Sequence, residues 1–461
     1  MRTALFIVYL LPALTAIAQA TPAGSIDLVV SLKNGQIRGE YMTVKGTDKR
    51  VKQYLGIPFA RPPVGPLRFA APQETEPWEG DRDGTHQPPM CIQNPEILLN
   101  VSRTMSMQYT PTELSEDCLY LNVYTPANAT KGDKLPTLSP QAEGLFQRAI
   151  FQSGVATLGT YTTSHPLGHA KIVANLTGCD RSSTEELVQC MRGKSKDELV
   201  DATKKMKLYL GAVVDGVFLT DTAEELLKRK EVLKVPVMMG ITNHEFGWIL
   251  PQSFAPPGWE NGMTRESVLA VVNMFNPAGA SSANSLIADE YLKDAQTPEE
   301  IRDGFTEIMG DLLMTLPVVK VAGYHSDAGV PVYMYEFVYQ ADIHKHSRPS
   351  FVKADHADDV GFMFGGCFWN GHIKIIGKIA NEDDGLCRIM MAYWASFVRT
   401  GSPNSPGLVS WPQYDRQKQE YLELGLLQTV RQKLKKDRVH FATVTLPQKL
   451  EQLAAAVKRG N

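Results

Sequence analysis

The chain reads as an α/β protein built on a mostly parallel sheet, and three features carry that reading. Val235–Ile241 (VPVMMGI) is a continuous apolar run, as a strand buried on both faces requires, and Val332–Val338 (VYMYEFV) is a second core strand. Helical patterns alternate with the strands, at Arg265–Phe275 and Pro298–Thr315 among others, which is the order of an α/β fold. Loops rich in acids and histidines follow both runs, where the carboxyl ends of parallel strands gather functional groups.

At the N-terminus, Arg2, an apolar stretch Ala4–Ile17 interrupted by Pro12, and Ala18-Gln19-Ala20 form the pattern of a secretory signal peptide. Residues 1–20 are expected to be removed, leaving 21–461 as one domain. Asp27–Val44 alternates around Lys33-Asn34-Gly35, a hairpin signal. Tyr54–Gln73 is dense in proline and glycine and is expected to be an ordered loop. Asp117–Thr125 alternates Leu119, Leu121 and Val123 with Tyr120, Asn122 and Tyr124, which predicts a strand. Ala142–Arg148 looks helical and Ala149–Gln152 is a short strand candidate. Ser183–Arg192 has a helical period, and Thr222 with Glu225 forms a capping box for a helix through Lys230. Leu386, Ile389, Met390, Tyr393, Trp394 and Phe397 share one face of a later helix. Trp411–Tyr414 and Tyr421–Leu424 suggest a last strand, and Ala442–Lys458 a closing helix.

The composition is that of a globular protein: 43% hydrophobic and 21% charged, with 47 basic and 50 acidic side chains and a net charge of −3. That balance points to neither a nucleic-acid partner nor an anionic membrane. No second apolar stretch is long enough for a membrane span. Without a KDEL-type ending, secretion is favoured over the endoplasmic reticulum lumen. Six cysteines in such a chain suggest disulfides, with fifteen full pairings open. Two local pairs stand out, Cys91 with Cys118 and Cys179 with Cys190. Cys367 and Cys387 are left over, and Cys387, in a helical pattern, reads as a buried thiol. Sequons at Asn100, Asn128 and Asn175 fit a secreted surface. No Cys/His cluster has metal-ligand spacing and no glycine loop suits a phosphate, so neither metal nor organic cofactor is implied. Oligomeric state is not readable from the residues.

Two loops carry chemistry. Thr242-Asn243-His244-Glu245 directly follows VPVMMGI, and Lys353–Asp359 (KADHADD) follows the second core strand. An acid after one strand and a histidine after a later one is the chain order of a hydrolase triad behind its nucleophile. Glu245 would fix the tautomer of His356, and His356 would take the proton of a serine. The bland alternatives are a surface or capping carboxylate and a hydrogen-bonded loop histidine flanked by acids.

EDCLYLNVYTP at Glu116–Pro126, YLGIPFARPPVGPLRF, PPMCIQNP, GLFQRAIFQSGVA, GITNHEFGWILP, ADHADDVGFMFG and WASFVRTGSPN stand in an order that resembles the type-B carboxylesterases, the family that includes the cholinesterases. The blocks are most similar to liver-type carboxylesterases and span nearly the whole chain after residue 20. The resemblance implies an α/β-hydrolase fold and serine-dependent hydrolysis of small carboxylic esters. It implies Glu245 as triad acid, His356 as triad histidine, Ser153 as a supporting residue, and the disulfides Cys91–Cys118 and Cys179–Cys190.

The departure from that pattern is sharp. After Lys134-Leu135-Pro136, relatives have a strand, an HGG-type loop that supplies oxyanion-hole amides, and a G-E-S-A-G nucleophile turn. None is present here. G-x-S-x-G occurs nowhere; Gly279–Ala283 (GASSA) is degenerate and follows no strand, and Phe151–Gly154 (FQSG) lacks the first glycine. A join at Pro136–Thr137 therefore implies the loss of three strand–helix units, roughly ninety residues at about thirty each. The fold is expected to be an incomplete α/β-hydrolase whose sheet either closes over the gap or exposes its flanks. The chain is expected to be inactive or strongly impaired as a serine esterase. The alternatives are a secreted, non-catalytic binding or adhesion module on the same scaffold, or an esterase using Ser153.

Overall fold

β-Branched and aromatic residues, interrupted by turn residues, make the first third of the chain rich in strands. The computed structural model describes residues 28–43, 48–128, 146–158, 162–180, 183–206, 211–217, 219–275, 281–345, 347–368 and 374–460. The expected signal peptide, the join at Pro136–Thr137, and Gly279 and Ala280 of the degenerate serine motif lie outside these residues. The chain forms two units, one built from residues 1–137, 165–208 and 368–377, the other from the remainder.

In the first unit, β1 (Val29–Leu32) and β2 (Gly35–Arg38) form the expected hairpin, joined by Lys33-Asn34. A second sheet is formed by β3 (Glu40–Thr43) and β4 (Arg50–Pro58). β5 (Asp81–Asp83) extends the first sheet to the order β1-β2-β5. α1 (Pro95–Thr104) begins at Asn94, whose side chain accepts from the Glu96 N–H. β6 (Tyr120–Pro126) completes the second sheet, β3-β4-β6, starting three residues later than the alternation suggests. The Tyr54–Gln73 segment is only partly loop: its first five residues finish β4, and Gly65–Leu67 makes one tight helical turn.

Three helices follow in this unit: α2 (Pro166–Leu176), α3 (Thr184–Arg192) and α4 (Lys196–Lys205). Ser183 and Ser195 cap the last two by accepting the N–H three residues on. Arg68 satisfies the carbonyl end of α3, donating to Met191, Arg192 and Lys194 oxygens while holding Glu116 in a fork. Both expected disulfides form here, Cys91–Cys118 and Cys179–Cys190.

The second unit carries the main sheet. β7 (Ala149–Gln152) leads into α5 (Ala223–Lys228), whose cap Thr222 accepts from the Glu225 N–H, and then β8 (Val237–Thr242). α6 (Arg265–Phe275), α7 (Ser281–Leu292) and α8 (Pro298–Gly310) follow. The pattern through Thr315 does not stay α-helical. A wide π turn at Asp311–Thr315 separates α8 from α9 (Leu316–Asp327). Pro317 has no N–H to give and its ring crowds the carbonyl of Leu313, so the helix widens before it. β9 (Val332–Phe337), α10 (Asp358–Met363), α11 (Asn381–Thr400), β10 (Glu420–Leu424), β11 (Thr429–Gln432) and α12 (Leu446–Gly460) complete the unit. Trp411–Tyr414 is not a strand; it packs Trp411 against Tyr335, Tyr393 and Trp394.

The sheet runs β11-β10-β9-β8-β7, parallel except for the β10–β11 pair. All six residues of β8 are buried, as its unbroken apolar run requires. β7 behaves differently. Among the described residues it pairs only with β8, and Ile150, Phe151 and Gln152 stay half-buried although the strand opens Ala-Ile-Phe.

One expectation fails outright. Cys367 and Cys387 are bonded to each other, with Cα atoms 6.5 Å apart. The apolar face of α11 turns Cys387 fully inward, and the segment after α10 brings Cys367 to it. A helical pattern records that Cys387 faces in, but not what it meets there. Among the described residues no helix is long and apolar enough to cross a membrane.

Candidate active site

The loops after β7, β8 and β9 converge at the carboxyl ends of the parallel strands. Ser153 ends β7 with φ of 49°, a left-handed conformation that costs a non-glycine residue roughly 1 kcal/mol. That turn aims its hydroxyl at the loop after β8, where Oγ donates to Glu245 Oε1 at 2.6 Å. The Thr242 N–H donates to the same oxygen, also at 2.6 Å, folding the carboxylate back onto the end of its own strand. Glu245 is 3% exposed.

Its other oxygen, Oε2, meets His356 Nδ1 at 2.7 Å. His356 therefore stands 111 residues along the chain from the carboxylate that orients it. Burial alone would lower the basicity of the ring. The hydrogen bond and charge of Glu245, with the charges of Asp355 and Asp359, outweigh it and hold the imidazole above its ordinary value.

A buried frame sets this geometry. Asp355 accepts the N–H groups of Gly247, Trp248 and Ile249 at 3.1, 3.0 and 2.8 Å, tying the histidine loop to the acid loop. Asp358 Oδ2 accepts the Asp355 N–H at 2.8 Å, and Arg348 grips both oxygens of Asp358 at 2.8 and 2.9 Å. His244, next to the acid, accepts the Lys353 N–H at Nδ1, so Nε2 carries the proton given to Thr306 Oγ1 at 2.9 Å. Burial pushes this imidazole down to about 4, which marks it as a neutral structural residue.

A second carboxylate lies beside the pair. Asp359 is 0% exposed, and its Oδ2 accepts from Tyr335 at 2.6 Å and from Gln152 at 3.0 Å. Gly240 permits this, because a Cβ there would lie 2.3 Å from the Tyr335 ring. Burial pushes the Asp359 carboxyl up against those two hydrogen bonds. Its Oδ1 is buried with no partner among the described residues.

The structure thus brings Ser153, Glu245 and His356 together, but not as a nucleophilic triad. The Ser153 proton points at Glu245 rather than at the histidine, so the imidazole is not placed to remove it. Ser281 and Ser282 of the degenerate motif sit exposed in the first turn of α7, not on a strand–turn–helix elbow. Asn100, Asn128 and Asn175 are exposed, as acceptors of a glycan must be. The pattern of residues missed the partners of Asp359: the acids flanking His356 are visible as charges, but Gln152 and Tyr335 give no sign in sequence of facing them.

The sequence model of the carboxylesterase family matches this chain in two stretches, residues 26–138 and 134–442. The two meet at the join. The chain is 35% identical over 520 positions to the pyrethroid hydrolase Ces2a of Mus musculus, covering 91% of each protein. It is 34% identical over 537 positions to carboxylesterase 5A of Canis lupus familiaris (94% and 92% covered). It is 32% identical over 528 positions to the cocaine esterase of Homo sapiens, covering 92% of each. Since 91% of 461 residues is about 420, some 100 of the 520 positions in the first comparison find no residue in this chain.

Proposed function

This chain belongs to the carboxylesterase family, and from that premise we propose that it is an ester-hydrolase relative in which the acid and histidine are kept and the nucleophile is not. Family membership makes small carboxylic esters the substrate class of the ancestral reaction. Glu245 would be the acid, His356 the histidine and Ser153 the group that holds the acid in place. The observation that carries the reading is the two-part family match meeting at residues 134–138. The half-buried state of β7, the strand that follows the join, supports the loss of neighbours there.

The chemistry follows from what is left. Without a serine at Nε2 of His356 no acyl-enzyme forms on a hydroxyl, and the covalent route of the family is closed. Loss of oxyanion donors removes a further factor of about 10²–10³ per donor. The three disulfides fit a chain made in the secretory pathway, and secretion with glycans at Asn100, Asn128 and Asn175 is the finer reading. A fluorophosphonate reagent that labels active serine esterases tests the central claim on the purified protein. No labelling is expected; one equivalent of label per chain would overturn it.

A further inference from the structure

We propose that His356 gives this chain a slow ester-cleaving activity of its own, with imidazole Nε2 as the nucleophile and activated aryl esters as the substrates. The inference rests on the reading that no serine nucleophile is present.

The geometry supplies each requirement. The Nδ1 proton is committed to Glu245 Oε2 at 2.7 Å, so in the neutral ring the lone pair belongs to Nε2. Among the described residues no donor or acceptor engages Nε2, and the side chain is 22% exposed. The carboxylate cannot swing away, because its other oxygen is held by the Thr242 N–H and by Ser153. His244, by contrast, uses both ring nitrogens within the fold. His86, which also has a carboxylate at its ring, stands on an open surface, with side chains 82% and 61% exposed for it and Asp83. His356 thus combines a buried, hydrogen-bonded carboxylate at Nδ1 with a second nitrogen that has no bonded partner among the described residues.

The reaction balances without a co-reactant other than water. The Nε2 lone pair attacks the ester carbonyl carbon and a C–N bond forms. The C–O bond to the aryl group breaks, and its electron pair leaves as phenolate. The acylimidazolium that results keeps its Nδ1 proton on Glu245, whose charge offsets the ring's. Water then adds to the acyl carbon and gives one proton to solvent, the C–N bond returns its pair to Nε2, and the carboxylic acid departs with water's other proton. Aryl esters are the fitting class because phenolate needs no proton to leave. Alkyl esters do, and among the described residues no donor is bonded at Nε2.

The test is phenolate release from p-nitrophenyl acetate by the purified chain after treatment with a fluorophosphonate. His356→Gln should lower the rate to that of the same solution without protein, since it removes the attacking nitrogen. Glu245→Gln should lower it as well, and His86→Gln should leave it unchanged. A wild-type rate in His356→Gln overturns the proposal. If that variant does not fold, carbethoxylation of the native chain, located at His356 by peptide mass, takes its place; activity that survives the modification overturns the proposal equally. Fluorophosphonate labelling that abolishes hydrolysis would sink the absent-serine reading and this inference together. An unlabelled chain whose hydrolysis ignores His356 would sink this inference alone.

Discussion

Replacing Cys367 and Cys387 together by alanine should cost about 3 kcal/mol of stability. The bond closes a 20-residue separation. Chain-entropy loss for a loop of that size is about 11 cal/mol/K, or ~3 kcal/mol at 25 °C. Alanine also removes the sulfur of Cys387 from a fully buried position, so the packing change adds to the loss and does not offset it. Urea unfolding followed by tryptophan fluorescence reads the effect directly, since Trp394 lies on the same helix as Cys387 and packs on Trp411. The midpoint should fall, and the slope should hold or steepen, because the unfolded chain without the cross-link exposes as much surface or more. Thiol titration of the unfolded, unreduced wild-type chain should find no free cysteine. A reactive thiol there, or a stability change within about 0.5 kcal/mol, the size of an ordinary surface substitution, would refute the pairing.

Two further outcomes rest on the buried frame. Arg348→Met should destabilise by about 3–5 kcal/mol, because it leaves Asp355 and Asp358 buried without their cation; Arg348→Met with Asp358→Leu should be less damaging than the single change, as read by urea midpoints. His244 titrates near 4 in the fold against an ordinary 6.5, so between those values the unfolded chain binds more protons and stability falls as pH drops; the His244→Gln chain should lose ~3 kcal/mol less than wild type over that window.

The sheet was legible where burial is two-sided. VPVMMGI could be read as a central strand because every position is apolar, and β8 is buried at all six of its residues. The α11 face was legible for the same reason: Leu386, Met390, Tyr393, Trp394 and Phe397 recur at helical spacing and all are buried. Partners across space were not. Cys387 carries the right periodicity for the interior, yet nothing in that period distinguishes a thiol from half of a disulfide. The π turn before Pro317 was hidden because the apolar period runs through it unbroken. At the site, spacing behind two strands marked Glu245 and His356. The frame beneath them was invisible, because Arg348, Asp355 and Asp358 read as ordinary charges until they are seen buried together.

That frame explains how an acid–histidine pair keeps its geometry when a neighbouring part of the family's sequence is missing. Every group that fixes the pair lies after the join: Ser153 and Thr242 on one oxygen of Glu245, His356 on the other. The histidine loop is fixed in turn by Asp355 on three N–H groups and by Arg348 on Asp358. Ala357, immediately after the histidine, is held at φ of 69°, where alanine is strained by roughly 1 kcal/mol; the surrounding bonds over-determine that turn. Positioning and reactivity are therefore separable in this fold. The described bonds that aim the imidazole all come from residues after Ala149. The imidazole so held is a polarised base, mostly buried, with no bonded partner at Nε2 among the described residues. If no serine stands at Nε2, the ring's own nucleophilicity is the reactivity left to it.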